Sequence, residues 1–240
     1  MFLQRWDPRL KFISLMILIF SFSFVQNLLL LPVILLISAL LFMLSSLGLS
    51  FWLNRIRLPA FFLIFMGLIL VLFSGETTLF QLGPLSVRQE GLFAVFVIYA
   101  RFLSIMTVII VLFGTSSILS IVKAMRALGL PLIITDMTLF FYRYLFDIGR
   151  DLQTMQIAMR MRGFKASKLG NLSYISALAG SLLVRSFEQS DRVYSAMTLR
   201  GYGQPAAFNE DFKAQAADFW GLALFILLAT IIILLQIYIP

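Results

Sequence analysis

Apolar residues run in long unbroken blocks through the first half of the chain, and amphipathic periodicity replaces them in the second. A basic opening, Arg5-Trp6-Asp7-Pro8-Arg9-Leu10-Lys11, leads directly into residues 12–54, which carry no charged side chain. A helix crosses the hydrocarbon layer with about 20 residues, so this block predicts two crossings that turn near Gln26-Asn27 or Pro32. No small-x-small cleavage pattern follows Phe20, and the opening reads as a first crossing rather than a signal peptide. Asn54-Arg55-Ile56-Arg57 then returns the chain to a polar surface. Residues 58–75 predict a short third crossing, residues 75–90 with Gly83-Pro84 an outer loop, residues 91–114 a fourth crossing, and the charge-free residues 219–240 the last.

Between residues 115 and 213 the pattern changes period. Thr115-Ser116-Ser117 offers an N-cap to a helix over 118–128, whose Ile118, Ile121, Val122, Met125 and Leu128 form one apolar stripe opposite Lys123 and Arg126. Gly129-Leu130-Pro131 stops it. A long amphipathic helix is predicted over 132–162. Its first half is apolar through Leu139, Phe140, Phe141, Tyr142, Tyr144, Leu145 and Phe146, and Arg143, Asp147, Arg150 and Asp151 are spaced for ion pairs along one face. A second, over 173–200, repeats the design with Arg185, Glu188, Asp191 and Arg192. Residues 165–171 and 203–213 are polar connectors.

One short phrase occurs in both long helices: Ala158-Met159-Arg160-Met161-Arg162-Gly163-Phe164, and Ala196-Met197-Thr198-Leu199-Arg200-Gly201-Tyr202. In each, Ala and Arg stand four apart on one helix face, so a shallow notch lies one turn below a long cation. Gly after the last helical residue suits a left-handed cap, onto which the following aromatic can fold. Arg there complements the negative end of the helix dipole, and its planar fork can grip a partner's carboxylate. A single copy describes many capped surface helices; two copies imply two matching docking points.

Composition fixes the class. The chain has 240 residues, 61% of them apolar and 12% charged, against roughly 45–50% and 25% in soluble domains. An all-α polytopic membrane bundle of about five transmembrane helices is expected. It would comprise four crossings in 1–114, an amphipathic coupling region facing the cytoplasm in 115–213 and a final crossing in 214–240. The absence of Cys and His removes thiol and imidazole chemistry and the usual soft metal ligands; no cofactor, no bound metal and no catalytic residue are expected. The formal charge of +8 reads as sidedness rather than nucleic-acid binding, because basic residues collect on the cytoplasmic side of membrane proteins. Most of the Lys and Arg lie before residue 12 or between Lys123 and Lys213. This places the N-terminus and both long helices inside and the C-terminus outside. Arg101, within the fourth crossing, costs about 2.5–3.5 kcal/mol to insert, and is expected to make a structural polar contact inside the bundle.

Several of these stretches together resemble a known family. Asp7-Pro8-Arg9-Leu10-Lys11, Thr115-Ser116-Ser117, Ala127-Leu128-Gly129-Leu130-Pro131, Tyr142-Arg143-Tyr144-Leu145 and the two Arg-Gly helix ends are similar to the transmembrane T component of energy-coupling factor (ECF) transporters. The run from Arg185-Ser186-Phe187-Glu188 to Tyr202 most resembles the cobalt-type CbiQ permeases. The resemblance implies a non-catalytic coupling subunit of an ATP-driven importer, located in the cell membrane. Its partners would be two cytoplasmic ABC-type ATPases and a separate substrate-binding S subunit, CbiM-like with a small accessory membrane subunit where the substrate is cobalt. It implies that Arg162 and Arg200 enter clefts on the two ATPases, that Gly163 and Gly201 end the helices there, and that Ala158, Met159, Ala196 and Met197 belong to the same sites. Where the family has Ala-Arg-Gly, this chain has Met161 and Leu199 in the Ala position. Met155, Met159, Met161 and Met197 suit a surface that repacks as motion passes through it. Cobalt is the expected substrate, with nickel or a vitamin such as biotin as alternatives. Two other classes are weighed: a membrane enzyme using Asp147, Asp151, Glu188 and Asp191, each of which has an Arg within helix reach, and a stand-alone carrier with Arg101 on its pathway.

Overall fold

The computed structural model describes residues 6–73, 78–82, 85–163, 172–202 and 215–238. Among them it is helical apart from one small hairpin. In chain order the elements are α1 (Pro8–Phe24), a 3-10 turn (Leu28–Leu30), α2 (Leu31–Ser45), α3 (Leu49–Phe73), β1 (Thr78–Leu82), β2 (Leu85–Arg88), α4 (Gln89–Thr115), α5 (Ile118–Ala127), α6 (Leu132–Met161), α7 (Leu172–Leu199) and α8 (Ala216–Tyr238). The chain divides into two compact units, Met1–Leu128 with Phe212–Pro240, and Gly129–Asp211.

In the first unit, α1 packs against α8, α4 and α5, while α4 also packs against α2 and α3. Asp7 starts α1 by accepting the Arg9 N–H at 2.9 Å, and Pro8 takes the first turn, where its missing donor costs nothing. Leu15, Leu18 and Phe22 have no exposed surface, as befits a helix apolar on all sides with neighbours around it. Small polar groups join the helices: Ser21 Oγ donates to the Ala229 carbonyl of α8 at 3.2 Å, and Lys11 Nζ donates to Ser116 Oγ at 2.8 Å. That second bond unites two of the sequence stretches, 7–11 and 115–117, that are far apart in the chain.

Four helical segments are long and apolar enough to cross a bilayer: Leu28–Ser45, Leu49–Val71, Gly91–Thr115 and Ala216–Tyr238. Helix α1 is shorter: its 17 residues span about 26 Å, at the short end of what a crossing needs. The first turn falls at Val25–Asn27, and Pro32 lies just inside α2.

Two expectations are corrected. Asn54-Arg55-Ile56-Arg57 does not separate two crossings: α3 runs through it and through Pro59. The break comes earlier, at Ser46, which takes a left-handed φ of 52°. The helix tolerates the charge because the Arg55 guanidinium lies over the Phe51 ring, 4.2 Å from its centroid. Where a loop was expected over 75–90, β1 and β2 pair antiparallel, with Thr78 opposite Arg88 and Leu82 opposite Leu85; Gly83-Pro84 lies outside the described residues. The N-cap of α5 is Ser117, which accepts the Ser120 N–H at 3.1 Å. On that helix Ile121, Val122 and Ala124 are buried, while Ile118 and Leu128 are exposed.

Trp6 shows how tightly the first unit closes. Its ring lies 5.6 Å from that of Phe225, and its Nε1–H donates to the Asp218 carbonyl at 3.3 Å. A Cβ placed on Gly221 would meet Trp6 Cζ2 at 2.7 Å. Gly221→Ala is therefore expected to destabilise by about 1–3 kcal/mol, because a ring held at two points cannot step aside. Gly180→Ala, in a helix with nothing within 4 Å of the new Cβ, is expected to stabilise by about 1 kcal/mol. Thermal unfolding of the detergent-solubilised chain should move in opposite directions for the two.

Candidate coupling site

The two copies of the repeated phrase end their helices in the same way. At the end of α6, Arg162 N–H bonds to the Met159 carbonyl at 3.1 Å and Gly163 N–H to the Arg160 carbonyl at 3.0 Å. At the end of α7, Arg200 N–H bonds to the Met197 carbonyl and Gly201 N–H to the Thr198 carbonyl, both at 3.0 Å. Gly163 and Gly201 have φ of 86° and 83°, the left-handed conformation that a side chain resists. Tyr202 N–H completes the second cap by reaching back to the Met197 carbonyl at 3.0 Å, the six-to-one bond of a Schellman motif. Phe164, its counterpart, lies outside the described residues.

Exposure repeats as well. Ala158, Arg162 and Gly163 are exposed and Met159 is half-buried; Ala196, Arg200 and Gly201 are exposed and Met197 is half-buried. Just before each Arg stands a large apolar residue almost free of neighbours, Met161 at 86% exposed and Leu199 at 89%. Each tip thus presents an open notch, a cation and an apolar knob. The knobs are what the sequence reading missed: the departure from Ala-Arg-Gly supplies exposed apolar surface beside each Arg.

Contacts within the second unit give the helix directions. Arg185 Nε pairs with Asp151 Oδ2 at 3.2 Å, Ser181 Oγ meets Met155 Sδ at 3.7 Å, and Tyr202 OH donates to Asp136 Oδ2 at 3.1 Å. As the residue number rises on α7 it falls on α6, so the helices run antiparallel. Arg200 therefore lies at the Asp136 end of α6 and Arg162 at the other, with roughly 40 Å of helix between them at 1.5 Å per residue. The in-helix pairs expected from sequence also form, Arg150 with Asp147 at 3.9 Å and Arg192 with Glu188 at 3.8 Å. Both are exposed and contribute little.

Between α6 and α7 lies an apolar cleft of about 370 Å³, lined among others by Met137, Phe140, Tyr144, Val193, Met197 and Tyr202. Reduced hydration of the Tyr202 phenol and the adjacent Asp136 carboxylate both hold its pKa above the usual value. Its hydroxyl thus remains a donor at physiological pH.

Arg101 belongs to the first unit. A guanidinium nitrogen donates to the carbonyl of Val25, the C-cap of α1. The cation meets this carbonyl at a helix's negative end.

A profile of the CbiQ family, described as cobalt transport protein, matches residues 1–210. The chain belongs to the CbiQ family. As a CbiQ protein it is a non-catalytic, multi-pass membrane component of an energy-coupling factor transporter. Among curated proteins it is similar to the energy-coupling factor transporter transmembrane protein EcfT of Streptococcus equi subsp. equi, with 27% identity over 83% of this chain and 79% of that one. It is also similar to the EcfT of Streptococcus thermophilus, with 26% identity over 84% and 81%. An uncharacterised protein of Methanocaldococcus jannaschii is 23% identical over 83% of this chain and 76% of its own length.

Both tips of this CbiQ chain depend on a glycine in the left-handed region. Gly201→Ala is expected to cost about 1–2 kcal/mol locally, while Gly201→Asn should be tolerated better. Hydrogen exchange over residues 197–202 of the full chain should speed up by about tenfold for Ala and by less for Asn, with residues 155–163 unchanged.

Proposed function

We propose that this chain couples ATP hydrolysis on two cytoplasmic ABC-type ATPases to a separate substrate-binding S subunit in the membrane, each ATPase receiving one tip. The observation that carries this reading is the pair of glycine-capped, exposed Arg tips at opposite ends of an antiparallel helix pair. Roughly 40 Å of helix separates them, which suits one ATPase per tip better than a single shared site. Arg162 and Arg200 serve as the gripped cations, Ala158 and Ala196 as the notches, Met159 and Met197 as the packing under them, and Gly163 and Gly201 as the stops. Closure of the ATPase pair on ATP moves the tips relative to each other. The Met-bearing cleft between α6 and α7 repacks and passes the motion to the S subunit.

Substrate choice belongs to the S subunit, since this chain has neither His nor Cys with which to select a soft metal. Cobalt is the proposed substrate, supported by the family description, with a CbiM-like S subunit and a small accessory membrane subunit. Nickel or a vitamin such as biotin would use the same coupling chain with another S subunit. The proposed arrangement has five crossings, α1 being the first, with the N-terminus and both tips on the cytoplasmic side of the cell membrane. The basic residues 123–213 support that sidedness. Residues 1–114, 115–213 and 214–240 then act as four-crossing frame, coupling region and final crossing.

Charge reversal tests the proposal. Arg162→Glu and Arg200→Glu, each in the full chain co-expressed with its ATPases, should each weaken ATPase capture by about 2–5 kcal/mol, and the double variant should capture none. Co-purification and ATP-dependent uptake report the result. Normal capture and uptake by both single variants would remove the Arg residues from the coupling role, and uptake by this chain alone in ATPase-free vesicles would favour a stand-alone carrier.

A further inference from the structure

The two tips are alike in their caps but differ one residue beyond the glycine, Tyr202 in one and Phe164 in the other. Tyr202 is held twice. Its N–H is fixed to the Met197 carbonyl at 3.0 Å, and its hydroxyl donates to Asp136 Oδ2 at 3.1 Å, on the opposite helix and 66 residues earlier in the chain. Arg200 stands two residues before this anchor, with only Gly201 between. Its backbone is therefore fixed on one side by the last turn of α7 and on the other by α6. Phenylalanine has no hydroxyl with which to do the same for Arg162.

We propose that Asp136 and Tyr202 form a positioning pair that fixes the direction of the second coupling tip, so that Arg200 meets its ATPase pre-aligned while Arg162 lacks this tether. Both act through Arg200. Pre-alignment matters because a side chain ordered before binding loses less freedom when it is gripped. The two docking points are then inequivalent, and the chain distinguishes its two ATPase positions even when identical subunits occupy them. This inference rests on the coupling role proposed above.

The test uses the full chain in membranes with its co-expressed ATPase pair, and reads capture affinity. Tyr202→Phe and Asp136→Ala should each lower it about three- to fivefold, the range for one exposed hydrogen bond. The double variant should lose no more than either single one. Asp136→Asn should retain near-normal capture, because the amide oxygen still accepts the phenol. In an Arg200→Glu background Tyr202→Phe should have no further effect; in an Arg162→Glu background it should cost its full factor. Equal losses in both backgrounds would mean general loosening of the helix pair and would overturn the proposal. So would unchanged capture by Tyr202→Phe in a chain where Arg200→Glu abolishes it. If Arg200→Glu itself has no effect, the coupling reading fails first. Hydrogen exchange over residues 197–202 of the isolated chain then decides the contact alone: faster exchange in Tyr202→Phe supports it, and no change overturns it.

Discussion

In an antiparallel pair of helices the two C-termini cannot be neighbours, and both tips of this chain are C-termini. A left-handed glycine, a free carbonyl end and an Arg can occur together only where a helix stops. Two such ends in consecutive helices are driven apart once those helices run antiparallel. The pairing itself is only partly electrostatic. Asp151 and Arg185 keep 26% and 54% of their side-chain surface exposed, so their attraction is worth about 1 kcal/mol or less. Apolar side chains, Phe140, Ile148 and Val193 among them, line the space between the helices.

The first unit answers a different constraint. Inside a bilayer every backbone donor and acceptor must find a partner in the protein, and the turn after α1 is where the helical ladder is interrupted. Arg101 takes the Val25 carbonyl, and Gln236 Oε1 accepts the N–H groups of Gln26 and Asn27 at 3.0 and 3.3 Å. Two residues distant in sequence, Arg101 and Gln236, thus close one turn. A half-buried cation and a half-buried amide here serve the backbone, so polarity within an apolar helix does not by itself mark a transport path.

Helices α2, α4 and α8 could be read from apolar runs because bilayer crossing imposes length and hydropathy together. The paired tips were equally legible, since cap chemistry is local and Gly after Arg leaves a pattern in the sequence. Arg55 and Arg57 suggest a break between crossings, yet long cationic side chains can remain on a helix, as Arg55 does by leaning across the Phe51 ring. The ion pair across the helices left no local trace for another reason: Arg185 has Glu188 three residues on, Asp151 has no cation at three or four residues, and nothing local says where either turns. Asp136 and Tyr202 carried no signal at all, since their meeting follows from antiparallel alignment over 66 residues.

The Asp151–Arg185 crossing sits off-centre between the two tips. From it, roughly 17 Å of α6 leads to Arg162 and roughly 22 Å of α7 to Arg200. If this point is the fulcrum, the helices are scissor blades of unequal reach. Equal strokes applied at the two ends then turn the blades through unequal angles, the shorter arm swinging further. The pair would accordingly twist as well as close.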